Sequence, residues 1–104
     1  MRCMLQVELP IEAGNAGIMS GKLPEVIGAA VAKWKPEASY FLSINGKRSM
    51  LMVVNLDDAS QIPALVEPFF LSLNAQVQIT PCMNFDDLKK GLGAIESDLK
   101  RKPA

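Results

Sequence analysis

The chain opens with an alternation of apolar and polar positions. Over residues 3–9, the odd positions are all apolar: Cys3, Leu5, Val7 and Leu9. A period of two predicts a β-strand with one buried face, and Pro10 ends that strand. The following residues 11–21 include three glycines, and their propensities leave a short helical turn and a loop as alternatives.

From residue 23 the period changes to that of a helix. Apolar residues then recur along one side of the predicted helix: Val26, Ile27, Ala30, Val31 and Trp34. Pro24 suits the first turn, where its missing N–H has no intrahelical partner to lose. Pro36 disfavours helical geometry in the residue before it, so the helix is expected to end by Lys35.

An Asn-Gly dipeptide lies between two strand-like stretches near the middle of the chain. Residues 38–44 and residues 48–56 flank Asn45 and Gly46. Asn-Gly favours the two-residue turns that match the twist of an antiparallel strand pair. The sequence therefore predicts a β-hairpin here.

A helix and a strand are predicted after the hairpin. Asp57 or Asp58 is expected to cap the helix. Its apolar positions are Ile62, Leu65, Val66, Phe69 and Phe70. Pro68 lies deep inside this helix and predicts a kink or a break into two short helices. Alternation resumes over residues 76–83 and predicts a fourth strand.

A last helix is predicted to start near Asn84, where Asp87 lies three residues on, as in a capping box. Its apolar stripe consists of Leu88, Leu92, Ile95 and Leu99. Gly91 and Gly93 each lower helix stability by roughly 1 kcal/mol relative to alanine. The helix is therefore expected to need a docking surface.

The order of these elements, βαββαβ with one further helix, predicts the fold. Because crossover connections are right-handed, the simplest arrangement is an α+β, ferredoxin-like fold. Its four-stranded antiparallel sheet has the order 4-1-3-2, with the helices on one face and an extra C-terminal helix. The 104 residues fit one domain, 1–104, with an ordered core of about residues 2–99 and a short basic C-terminal tail.

The sheet face away from the helices is expected to combine an apolar block with a row of amides. A two-residue turn pairs Phe41 with Met50, both assigned to this open face, and Tyr40 then joins the helix side. A bulged three-residue turn would instead place Leu51 and Val53 on the open face. With the two-residue turn, the candidate ligand-binding residues there are Met4, Gln6, Glu8, Ser39, Phe41, Met50, Met52, Gln76 and Gln78.

Such an apolar block rarely stays exposed, so a second copy is expected to cover it and form a homodimer with a two-fold axis. A small apolar molecule could then bind between the two sheets. Glu8 is the candidate catalytic base, since burial raises the pKa of a carboxyl group that lies alone among amides and thioethers. In the alternative, these side chains satisfy one another or fill the dimer core. The protein is then a non-catalytic structural or regulatory module without a ligand cavity.

Composition excludes several classes of function. The chain has no histidine, which removes Ser-His-Asp catalysis, His-ligated haem and most zinc or non-haem iron sites. Eleven basic side chains balance eleven acidic ones, so the charge pattern of a nucleic-acid binder is missing. Apolar stretches fall short of the roughly 20 residues of a membrane span, and no signal sequence is evident. We therefore expect a cytoplasmic protein with no metal, cofactor, nucleic-acid or membrane partner.

Several blocks along the chain, most of them containing proline, resemble a known family. They are Glu12-Ala13-Gly14-Asn15, Lys35-Pro36-Glu37-Ala38 before Tyr40-Phe41, Asp58-Ala59-Ser60-Gln61-Ile62-Pro63-Ala64, Glu67-Pro68-Phe69-Phe70, Asn74-Ala75, and Pro81-Cys82-Met83 leading to Asp86-Asp87-Leu88. On these blocks the chain resembles small uncharacterised bacterial proteins of the dimeric α+β-barrel superfamily, in which two ferredoxin-like sheets face each other around a shared interior.

The resemblance implies a fold and an assembly, and it widens the candidate chemistry. The superfamily includes cofactor-free monooxygenases, muconolactone isomerase, haem-degrading enzymes and stress-responsive proteins. A cofactor-free oxygenase or isomerase is therefore an implied activity. The histidine ligands and bases of several members have no counterpart in this chain, which argues against haem chemistry.

Overall fold

The computed structural model describes residues 1–101, so the end of the expected basic tail, residues 102–104, lies outside the described residues. The elements are β1 (Arg2–Glu8), α1 (Ile11–Ser20), α2 (Lys22–Trp34), β2 (Ala38–Ile44), β3 (Lys47–Asn55), a short 3-10 helix (Ala59–Gln61), α3 (Ile62–Leu73), β4 (Gln76–Pro81) and α4 (Phe85–Arg101). The strands form one antiparallel sheet of order β2-β3-β1-β4, which is the predicted order read from its other edge. The α+β class and the sheet order are confirmed.

The first connection departs from the predicted order, because it contains two helices rather than one. The undecided residues after β1 form α1, whose glycines at positions 14 and 17 are buried. A Cβ atom at Gly14 would lie 2.8 Å from Nη1 of Arg48, and one at Gly17 would lie 3.1 Å from Cβ of Leu23. These glycines therefore permit close packing of α1 against β3 and α2.

The connection from β3 to α3 is held by a capping box. The Asp58 carboxylate accepts a hydrogen bond from the Ser60 backbone N–H at 3.0 Å, while Oε1 of Gln61 accepts one from the Asp58 N–H at 3.3 Å. Asp58 is therefore the cap, as one of the two predicted alternatives. α3 then continues through Pro68 as a single helix. The predicted break into two short helices is therefore wrong, and the alternative, a kink at Pro68, stays a prediction.

The register between β1 and β3 decides which side of the sheet holds the core. Leu5 pairs with Met52, and Val7 pairs with Met50. Residues paired across antiparallel strands point to the same face. That face carries α1, α2 and α3, and Leu5 and Met52 are both fully buried. The predicted position of Met50 and Met52 on the open face is therefore wrong.

The hairpin itself has the predicted two-residue turn. Asn45 and Gly46 have φ angles of 55° and 73°, as a type I′ turn requires, and Phe41 pairs with Met50. Since Met50 lies on the helix side, Phe41 and Ser39 point there too, and Tyr40 points to the open face. The pairing is confirmed, but both faces of β2 are the reverse of those predicted.

Replacing Met52 and Leu51 by alanine compares the two faces within one strand. Met52→Ala is expected to lower the free energy of unfolding by about 2–5 kcal/mol, because it opens a cavity in the core. Leu51→Ala removes a half-buried side chain and is expected to cost less than about 1.5 kcal/mol. Chemical denaturation at low protein concentration measures both values. A larger loss for Leu51→Ala would contradict the assignment of faces.

The Asp58 cap predicts a pH-dependent contribution to stability. The hydrogen bond from the Ser60 hydroxyl, assisted by its backbone N–H, lowers the pKa of Asp58. A folded pKa below the unfolded value stabilises the protein above the unfolded pKa, and this is lost as the pH falls through the folded pKa. The stability difference between the wild type and Asp58→Ala is therefore expected to be largest near neutral pH and to shrink in acid below about pH 4. Ser60→Ala, which leaves the backbone donor in place, should reduce this pH dependence only in part.

Candidate functional site on the open sheet face

The candidate site is the sheet face that α1, α2 and α3 leave uncovered, here called the open face. Its side chains form three rows across the strands in the order β2, β3, β1, β4. The rows are Ala38–Val53–Met4–Thr80, Tyr40–Leu51–Gln6–Gln78 and Leu42–Ser49–Glu8–Gln76. Because pleated strands alternate their side chains, these rows belong to one surface.

The open face is divided into two chemically different halves. The apolar half consists of Met4, Tyr40, Leu42, Leu51 and Val53. Tyr40 is 67% exposed, and Leu42 and Met4 are 41% and 37% exposed. The amide half consists of Gln6, Gln76, Gln78 and Thr80, on β1 and β4. An amphipathic molecule could contact both halves at once.

Glu8 has a cationic neighbour on the open face. Its Oε1 lies 3.7 Å from Nζ of Lys47, and the Glu8 side chain is only 13% exposed. Ser49, opposite Glu8, is buried and donates its hydroxyl hydrogen to the Lys47 carbonyl oxygen at 3.0 Å. Glu8 is therefore not the isolated carboxylate that was expected for a base, and Ser49 is engaged with its own strand.

The structure brings together some of the predicted site residues and separates others. Five of them share the open face: Met4, Gln6, Glu8, Gln76 and Gln78. Four lie on the helix side: Ser39, Phe41, Met50 and Met52. The open face also carries four apolar residues that the two-residue-turn prediction did not place there: Tyr40, Leu42, Leu51 and Val53.

A signal in β3 could have assigned its faces correctly. The positions that share a face with Leu51 also include Ser49 and Asn55, which are polar. The intervening positions, from Met50 through Val54 to Leu56, are uniformly apolar. A uniformly apolar set is the better candidate for a fully covered face.

The helix side of the sheet also has a groove, next to β2. A groove of about 200 Å³ lies between α2 and β2 and is lined by Phe41, Ile27 and Arg48. The Arg48 guanidinium donates a hydrogen bond to Oδ1 of Asn15 at 3.0 Å, so it holds α1 against the hairpin. Within residues 1–101, no group of three or more His, Cys, Asp or Glu side chains could hold a metal ion.

Comparison with known proteins adds no assignment for this surface. No protein-family model and no curated protein matches the sequence. In the part of the chain that the structure describes, no helix is both long and apolar enough to cross a membrane. The chemistry of the open face is therefore the basis for a proposed function.

Proposed function

We propose that the protein is a cytoplasmic homodimer of ferredoxin-like subunits whose open faces meet, as in dimeric α+β barrels, and bind a small apolar molecule between them. The observation that carries this proposal is the apolar half of the open face. Tyr40, Leu42 and Leu51 lie side by side on β2 and β3, and the helices cover the other side of the sheet. Contiguous apolar surface of this kind usually marks an interface or a binding site.

The ligand is an apolar compound with a polar end. Tyr40 and Leu51 offer an aromatic ring and an aliphatic surface, while Gln6 and Gln78 lie in the same row. A glutamine amide both donates and accepts hydrogen bonds, so it suits carbonyl and hydroxyl groups equally. Small aromatic carbonyl compounds and quinones have this combination, and no metal or organic cofactor is needed to bind them.

Binding is preferred to catalysis because of the surroundings of Glu8. A cofactor-free oxygenase or isomerase needs a base that removes a proton from its substrate. Glu8 is the only acidic side chain in the three rows, and Lys47 lies 3.7 Å from it. An oxygenase or isomerase would have to use as its base a carboxylate that already pairs with a cation.

A non-catalytic dimer module is the second candidate, and the size of the apolar side chains favours it. Tyr40, Leu42 and Leu51 from two copies could fill the space between the sheets. A filled interior would leave no room for a ligand. The two candidates share the dimer and differ in whether it binds a small molecule.

Introducing a charge at Leu51 tests the dimer. The wild type is expected to have twice the chain mass of 11.3 kDa in sedimentation or light scattering at low micromolar concentration. Leu51→Asp is expected to give a folded single chain, because the interface would bury an unpaired carboxylate. Val31→Asp is the matched control, since Val31 is an exposed apolar residue on α2. A wild type at the mass of one chain would refute the dimer.

Native mass spectrometry against small quinones and aromatic carbonyl compounds tests the ligand. At least one compound is expected to bind the dimer, and Gln6→Leu is expected to weaken binding by about tenfold through the loss of one hydrogen bond. Ser72→Ala, on the exposed side of α3, is expected to leave binding unchanged. A dimer that binds none of these compounds favours the non-catalytic module.

A further inference from the structure

α4 differs from the other three helices because the body of the protein leaves it uncovered. Its residues from Phe85 to Lys100 are all exposed. The described chain is 65 Å long and 28 Å by 19 Å across, and its radius of gyration is 17.8 Å, against about 13 Å for a compact domain of this length. The elongation follows from a 17-residue helix that extends away from the sheet.

The base of α4 is nevertheless joined to the sheet by an ion pair. Asn84 and Asp87 exchange hydrogen bonds of 2.8 Å and 3.1 Å, which confirms the predicted capping box. Arg2, on β1, donates to Asp87 at 2.5 Å and to Glu37 at 2.7 Å. The hydrogen bond to the Glu37 carboxylate raises the pKa of the Arg2 guanidinium. The first turn of α4 is therefore held in a defined position, while the rest of the helix packs against no other element of the described chain.

The apolar positions of α4 have the spacing of a coiled coil. Phe85, Leu88, Leu92, Ile95 and Leu99 follow one another at intervals of three, four, three and four residues. This is the a/d pattern of the heptad repeat, which forms a narrow seam between two helices. Leu92 and Ile95, at its centre, are 52% and 53% exposed.

The helices that pack on the sheet have a wider apolar stripe than α4. α2 has the adjacent pair Val26 and Ile27 against the core, and α3 has Leu65 and Val66. In α4 the d positions are Leu88 and Ile95. The residues that follow them, at the e positions of the heptad, are Lys89 and Glu96. A seam bordered by charges suits another helix better than a sheet.

We propose that α4 pairs with α4 of a second copy of this chain as a short antiparallel coiled coil. Charge complementarity selects the direction. When Leu88 of one helix lies opposite Leu99 of the other, the two flanking e positions meet, so Lys89 lies beside Glu96 of the second copy, twice by symmetry. Lys89 already borders the seam, since its Nζ lies 5.6 Å from the centre of the Phe85 ring.

The competing arrangements lose this complementarity. Two other antiparallel registers bring like charges together: Leu88 opposite Leu92 places Lys89 against Lys89, and Ile95 opposite Leu99 places Glu96 against Glu96. In a parallel pair, Glu96 would face Gly91 of the other helix, and glycine has no side chain that could pair with a carboxylate. In the antiparallel pair, Gly91 borders the seam, where the missing Cβ lets the two backbones approach. Within its own chain, a Cβ at Gly91 would meet nothing within 4 Å.

Cysteine cross-linking tests the pairing and its direction. Leu88→Cys and Leu99→Cys are made separately in a Cys82→Ser background, with Cys3 retained because it is buried. Mixing the two variants under mild oxidation is expected to give a disulfide between positions 88 and 99 of the two chains. Each variant alone is expected to give none, because identical positions would be about 16 Å apart along the helices, beyond the 7 Å limit for a disulfide. Self-linking of Leu88→Cys, or no link in the mixture, overturns the proposal.

Charge reversal supplies a second test that does not introduce cysteine. Lys89→Glu is expected to weaken α4 pairing about tenfold, because two attractive pairs become repulsive. The double variant Lys89→Glu with Glu96→Lys is expected to restore it. Lys90→Glu, on the opposite side of the helix from the seam, is the matched control and is expected to have no effect. Equal effects of Lys89→Glu and Lys90→Glu would contradict the register.

Both tests are repeated in the Leu51→Asp background, in which the proposed dimer through the open faces is expected to separate. At high micromolar concentration the link between positions 88 and 99 is expected to persist in that background, since Leu51 lies on β3 and the substitution leaves every residue of α4 unchanged. If the open faces do not pair but the α4 helices do, the link between positions 88 and 99 still forms. Loss of the link in both backgrounds overturns the pairing of α4 and leaves the proposed dimer untouched.

Discussion

The pairing of β1 with β3 is the interaction on which the remaining structure depends. Leu5 and Met52 face each other at the centre of the sheet, and both are fully buried. A shift of one residue would turn every side chain of β3 to the opposite face. It would exchange Met50 and Met52 for Leu51 and Val53 beneath the helices. The core and the open face are therefore two consequences of one register.

Local patterns in the sequence were sufficient to predict most elements. Alternation marked β1 and β4, a helical period marked α2 and α3, and Asn45 with Gly46 marked the hairpin, because each signal depends only on neighbouring residues. α1 could not be decided in this way. Its glycines have low helix propensity, and the close approach to Arg48 and Leu23 that favours them appears only in the folded protein. Pro68 likewise disfavours a continuous helix locally, and its place inside α3 is seen only in the structure.

The candidate site was predictable on two strands and not on the others. On β1 and β4 the glutamines and Glu8 alternate with aliphatic residues, so the exposed set is visible in the sequence. On β3 both sets are rich in apolar residues, and the hairpin turn determines which residues of β2 and β3 share a face without saying which face the helices cover. The Glu8–Lys47 ion pair joins residues 39 positions apart, and no local pattern indicates it.

The position of β2 at the edge of the sheet has a consequence for the behaviour of the protein at high concentration. Among the described strands β2 pairs with β3 alone, so the N–H and C=O groups along its other side are free to pair with another chain. Residues 38–44 contain aromatic and branched side chains, no charge and no proline, which is the composition of segments that stack into cross-β aggregates. Glu37 and Lys47 are the charged residues nearest to its two ends. Like-charge repulsion at these two positions opposes in-register stacking of identical strands, so neutralising either residue would favour aggregation.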